Sequence, residues 1–109
     1  MDQTTKLKPR VINQVKLYIR QVKSSKIPVE QVIVFGSHAK GTAHKWSDID
    51  VCVVSPIFTD NHWDALSKLM HLRDSQTIDI EPHPMSPRDL SNKYDTLATE
   101  IRTHGILIQ

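Results

Sequence analysis

No stretch of this sequence approaches the roughly 18 consecutive apolar residues of a membrane-spanning segment. The opening MDQTTKLKPR also lacks the apolar centre of a secretory signal. A single cysteine, Cys52, lies in the apolar run VCVV. It leaves no internal disulfide to form, and a reducing, cytoplasmic setting with no membrane association is expected. Repeats, linkers and low-complexity tracts are missing. The six histidines (His38, His44, His62, His71, His83, His104) show neither the H-x-x-x-H nor the Cys-pair spacing of transition-metal sites. Exposed or hydrogen-bonded structural roles are expected for them. No serine, histidine and acid grouping suggests a hydrolase.

What is present is an ordinary globular composition: 109 residues, 39% apolar and 24% charged, with a net charge of +2. One domain over residues 1–109 is expected, large enough for a core and too short for a second module. The charge is unevenly spread. Lys6, Lys8, Arg10, Lys16, Arg20, Lys23 and Lys26 stand against Asp2 alone in the first 26 residues. A solvated helix face is the expected reading, and a patch for RNA or an acidic protein is the alternative.

Val11, Val15, Tyr18, Ile19 and Val22 recur at helical spacing and predict an amphipathic helix over 10–25, closed by Pro28. QVIVF at 31–35 reads as a buried strand stopped by Gly36. Residues 37–47 read as a loop or a short helix followed by a loop, and IDVCVV at 49–54 as a second strand. A helix is expected from Asp60 to about Arg73, capped by Asp60 or Asn61. TIDIE at 77–81 alternates in the manner of a third strand. Ser86-Pro87 is a cap followed by proline, with helical sequence to His104, Gly105 at its end and a last short strand at 106–108. The expected fold class is α/β (α+β): a small mixed sheet packed with helices. Its first two strands are antiparallel, because only about a dozen residues join them.

The segment VFGSHAKGTAHKWSDID carries the chemistry. Residues i and i+2 of a strand share a face, so Asp48 and Asp50 leave the second strand on one side while Ile49, Val51 and Val53 leave on the other. Two carboxylates at that spacing suit a hard cation. Asp79, flanked by Ile78 and Ile80, can complete a three-carboxylate cluster if the third strand lies beside the second. Such a cluster would hold two metal ions about 3.5–4 Å apart for an in-line displacement at phosphorus. The Gly36-Ser37 turn exposes backbone N–H groups to an anion, and a helix starting after it would add its N-terminal dipole. GSHAKGT has the G-x-x-x-x-G frame of a P-loop, but Thr42 and Ala43 stand where that motif needs Lys and Ser/Thr. The P-loop reading fails.

Gly36-Ser37, ten intervening residues from His38 to Ser47, then Asp48-Ile49-Asp50 and a later Asp79 resemble the nucleotidyltransferase fold of the DNA polymerase beta superfamily. With the short chain and the tail TEIRTHGILI, the sequence is most similar to the minimal nucleotidyltransferases, or MNT proteins. The resemblance implies that Asp48 and Asp50 ligate metal and form the catalytic core. Asp79 would be the third carboxylate, on the catalytic metal and near the acceptor hydroxyl's proton. Gly36 and Ser37 would hold the β- and γ-phosphates, assisted by Ser47. Many relatives have arginine after Gly-Ser where this chain has His38, which leaves His38, Lys40 and Lys45 as candidates for the phosphate cation. Trp46 is a candidate for stacking on a base or for packing the loop.

The resemblance further implies a two-ion Mg²⁺ site, with Mn²⁺ as the alternative, and ATP as substrate. AMP would pass to a hydroxyl, above all a tyrosine of a HEPN-domain toxin bound as a hetero-oligomer, with this chain as antitoxin. A non-catalytic antitoxin acting by contact, and a stand-alone transferase for a small molecule or RNA end, are the competing expectations.

Overall fold

The computed structural model describes residues 6–109, so Asp2 and its neighbours at 1–5 lie outside the described residues. Helix α1 (Pro9–Ser24) opens with proline in its first turn, where a missing N–H costs nothing. It buries Val11, Val15, Tyr18, Ile19 and Val22. Lys8, Lys16, Arg20, Lys23 and Lys26 stay exposed. Strand β1 (Gln31–Phe35) follows, then a single turn of helix, α2 (Ser37–Lys40), and β2 (Ile49–Val54). Helix α3 (His62–His71) starts at Asn61, whose side chain accepts from the Asp64 N–H. Strand β3 (Ile80–Met85) leads into α4 (Pro87–Leu90), α5 (Thr96–His104) and the two-residue β4 (Ile106–Leu107). Ser86 and Asp89 form a reciprocal capping box before α4, and Asp95 caps α5.

The strands form one mixed sheet in the order β3-β2-β1-β4. β1 runs antiparallel to both β2 and β4, while β2 and β3, joined through α3, are parallel. Alternation divides the apolar residues between the two faces. Val32, Val34, Ile49, Val51, Val53 and Ile80 pack with the buried residues of α1 and with Leu69 of α3. Ile33, Phe35, Cys52, Val54 and Met85 pack with Ala98 and Ile101 of α5. Along β2 and β3, this second face continues past its apolar patch into the half-buried Asp50 and His83 and the exposed Glu81.

The third strand departs from the expected 77–81. Residues 74–80 form successive turns, with Thr77 N–H bonded to Asp74 O and Ile80 N–H to Thr77 O. The buried Thr77 hydroxyl donates to Gln21 Oε1 of α1 at 3.1 Å and accepts from the Asp74 N–H at 2.9 Å. These bonds draw TID out of the ladder, leaving Ile78 59% exposed and Ile80 fully buried. The strand then runs through Pro82 and Pro84, residues that weigh against a strand in sequence. Its carbonyls at Asp79 and Met85 accept from Ile49 and Ser55 of the β2 side. By alternation the backbone at 82 and 84 faces outward, where β3 is an edge and no N–H is needed.

Tyr18 anchors α1 to α3: its ring is fully buried and its hydroxyl donates to Leu69 O at 2.7 Å. Removing the hydroxyl leaves that carbonyl without its donor, so Tyr18→Phe should lower the unfolding free energy by about 1–3 kcal/mol in urea titrations. Burial pushes the Cys52 thiol up to about 12 from its ordinary 9.0. The unfolded chain therefore ionises first, and this stabilisation is complete below pH about 9 and is lost as pH rises toward 12. The urea midpoint should fall above pH about 9, and it should fall less steeply in Cys52→Ala.

Candidate active site

Phe35, the last residue of β1, pairs with Asp50 of β2. Gly36 then turns the chain with φ 73° and ψ −150°, a conformation essentially confined to glycine. A Cβ built there would collide with Asp50 Oδ2. The Asp50 carboxylate thus occupies the space a side chain at 36 would fill. Ser37 starts α2 at this point, and the first-turn N–H groups of that helix have no acceptor within it. Backbone donors and a carboxylate therefore meet at one end of the sheet.

The connection from α2 to β2 is tied internally. His38 is buried, and its Nε2 donates to Ser47 O at 3.2 Å. The Ser47 hydroxyl accepts from the His44 N–H at 2.9 Å, and Ser47 N–H returns to His44 O at 3.0 Å. His38 and Ser47 hold the loop that delivers Asp48. Lys40 reaches Glu100 of α5, with Nζ 2.5 Å from Oε1, and this ammonium holds the Glu100 carboxyl below its ordinary value. Lys45 lies 5.1 Å from the Trp46 ring centroid, and Trp46 is 80% exposed, so it does not pack the loop onto the sheet.

Asp48, exposed, immediately precedes β2, and Asp79, also exposed, immediately precedes β3. Ile49 N–H donates to Asp79 O at 2.8 Å, so both aspartates stand at the entry to the parallel ladder, two residues before the pair Asp50 and Glu81. The Asp79 carboxylate accepts from Gln14 Nε2 at 3.3 Å, and its N–H donates to Gln14 Oε1 at 3.1 Å. Asp50 instead meets two residues that the sequence reading did not assign to the site. His83 Nε2 is 3.2 Å from Asp50 Oδ1 and 4.0 Å from Glu81 Oε1. One donor atom from each of Asp50, Glu81 and His83 lies within 4.8 Å of the others. Continuing the alternation of β3 past Asp79 to Glu81 and His83 was the available signal. Spacing rules for local ligand pairs could not see it, because His83 reaches Asp50 from another strand.

The donor set is two carboxylates and an imidazole beside a position lacking a side chain. It fits a divalent cation of the size and charge that oxygen and nitrogen donors hold.

A profile of the nucleotidyltransferase domain matches residues 15–97, which include the Gly-Ser turn, Asp48 and Asp50, and the whole of β3. The chain belongs to the nucleotidyltransferase domain family. The protein adenylyltransferase MntA of Shewanella oneidensis is 34% identical over 82 residues, covering 72% of this chain and 53% of MntA. This nucleotidyltransferase domain therefore spans about half the length of that relative. Among solved structures, a candidate nucleotidyltransferase of Sulfolobus solfataricus aligns with a TM-score of 0.68 at 20% identity, over 90% of this chain and 78% of the other. A toxin–antitoxin structure with AMP-PNP aligns at 0.57 and 26% identity, covering 90% and 72%. A complex of the tri-AMPylated Shewanella oneidensis HEPN toxin with its MNT antitoxin aligns at 0.53 and 22%, covering 92% and 71%. The fold expected from sequence is the fold observed.

The two glycines flanking α2 separate backbone strain from site geometry. Both have positive φ, but nothing lies within 4 Å of a Cβ at Gly41. Gly41→Ala should cost about 1–2 kcal/mol of stability and leave binding of a fluorescent ATP analogue unchanged. Gly36→Ala should be destabilised at least as much and should also lose analogue binding, because its methyl displaces Asp50.

Proposed function

We propose that this chain transfers AMP from ATP to a hydroxyl group, and that its acceptor is a tyrosine of a helical HEPN-type partner with which it forms a toxin–antitoxin pair. The observation that carries this reading is the contact between the Gly36 turn and Asp50, which sets a phosphate-binding backbone against a cation-binding carboxylate. Likeness to MntA, a protein adenylyltransferase, supports adenylyl transfer. Likeness to the complex of an AMPylated HEPN toxin with an MNT antitoxin supports the acceptor class.

In this reading the N–H groups at the start of α2 and the Ser37 hydroxyl hold the β- and γ-phosphates, with Ser47 bracing the loop beneath them. Asp48 and Asp50 hold Mg²⁺ or Mn²⁺, and Asp79 completes the carboxylate set. The bound cations supply charge neutralisation on the triphosphate and on the leaving pyrophosphate. The acceptor oxygen bonds to the α-phosphorus as the bond to the β-phosphate bridging oxygen breaks, and the hydroxyl proton passes to the Asp79 carboxylate. No side chain forms a covalent intermediate; the protein contributes position and electrostatics. For Asp79 to serve, its carboxylate must exchange the weak 3.3 Å bond from Gln14 for the site. Among the described residues no helix is long and apolar enough to cross a membrane, which fits a cytoplasmic pair.

Incubation with the protein encoded by the adjoining reading frame, labelled ATP and Mg²⁺ should place label on a partner tyrosine. Asp48→Ala and Asp50→Ala should each lower the rate by roughly 10²–10³-fold or more, as loss of a preorganised electrostatic contact does. Protection of the partner without ATP, equal in wild type and Asp48→Ala, would show that this chain acts by contact instead.

A further inference from the structure

The nucleotidyltransferase pattern in this sequence accounts for Asp48, Asp50 and Asp79, but not for the two β3 residues that converge on Asp50. Glu81 is its ladder partner. His83, two residues on and on the same face, puts Nε2 3.2 Å from Asp50 Oδ1. The His83 ring is not loose: it stands edge-on to Phe35 with centroids 4.8 Å apart and planes at 66°. Phe35 is itself buried and pairs with Asp50 across the β1–β2 ladder. One aromatic residue thus fixes the imidazole beside the carboxylate. The absent Cβ of Gly36 keeps space on the opposite, Oδ2 side of the same group.

We infer that Asp50, Glu81 and His83 together ligate one divalent cation, that His83 gives it a nitrogen donor, and that this ligand biases the site toward first-row transition ions, for which Mn²⁺ serves as the paramagnetic probe, over Mg²⁺. The inference rests on Asp50 being a cation ligand, as in the proposed function. It adds two ligands and a metal preference. Magnesium takes oxygen ligands and keeps its waters, whereas imidazole suits first-row transition ions. A site built from carboxylates alone has no such bias. The imidazole Nε2 that now donates to Asp50 would turn its lone pair to the cation, and its proton would move to Nδ1, or to solvent where Nδ1 already carries one. No net charge is left on the ring.

The test is Mn²⁺ binding by the full chain without nucleotide or partner, followed by electron paramagnetic resonance. Wild type should remove the free-ion signal, and its pulsed spectrum should carry ¹⁴N modulation from a directly bound imidazole. Excess Mg²⁺ should displace the Mn²⁺ poorly. His83→Gln should lose the nitrogen modulation and weaken Mn²⁺ binding by about 10–100-fold or more, since even outer-shell partners contribute that much. Glu81→Gln should weaken binding but keep the modulation, which preserves the test if His83→Gln folds poorly. Wild type that binds no Mn²⁺, binds it without nitrogen modulation, or keeps the modulation in His83→Gln would overturn the inference. Adenylyl transfer is scored separately. Transfer without nitrogen ligation removes this inference alone, and nitrogen ligation without transfer leaves it standing while removing the proposed acceptor chemistry.

Discussion

The pairing of β1 with β2 in the register that sets Phe35 opposite Asp50 is the constraint on which the rest depends. It brings the last residue before the glycine turn level with the carboxylate, although residues 36–49 separate them in the chain. The register is held by apolar burial. Ile49, Val51 and Val53 are at most 1% exposed on the α1 side of the sheet, and Cys52 and Val54 are equally buried on the α5 side. A slip of one residue would turn Asp50 into the apolar layer beneath α1 and move Ile49, Val51 and Val53 to the α5 side. The loop can therefore carry strained and polar residues without losing its alignment, because the strands on either side of it are fixed independently.

The polar end of the sheet is an electrostatic load that the fold tolerates by position. Asp50 and Glu81 bring carboxylate oxygens within 4.8 Å of each other, close enough for like charges to repel. Glu81 is exposed and Asp50 is half-buried at the margin of the apolar patch, so water screens much of that repulsion. The His83 N–H offsets more of it by donating to Asp50. A cation would neutralise both carboxylates directly. The helices hold the two ends of this arrangement in place: Tyr18 ties α1 to α3, and the Lys40–Glu100 pair joins α2 to α5.

Most of the fold was legible because its signals are local. Helical periodicity located α1, the β-branched runs located β1 and β2, and Asn61 and Ser86 announced the helices they cap. The Gly36-Ser37 and Asp48-Ile49-Asp50 spacing pointed to the candidate site for the same reason, since both halves lie in one segment. What was misplaced depends on partners far along the chain. TIDIE alternates like a strand, yet Thr77 is claimed by Gln21 and Asp74, and Pro82 and Pro84 are admitted only because β3 is an edge. Glu81 and His83 join the site through a parallel register that no single segment encodes. His38 offered itself as a phosphate cation because it follows Gly-Ser, and only packing shows it turned inward to Ser47.

The central claim is that the Gly36 turn and Asp50 form one nucleotide and metal site. It is tested most directly by a crystal structure of the chain grown with Mn²⁺ and a non-hydrolysable ATP analogue, with anomalous scattering recorded for the metal. The account predicts an anomalous peak against the Asp50 carboxylate and the β- and γ-phosphates lying along the backbone of Gly36 and Ser37. Triphosphate bound elsewhere, or a metal peak with no contact to Asp50, would contradict it.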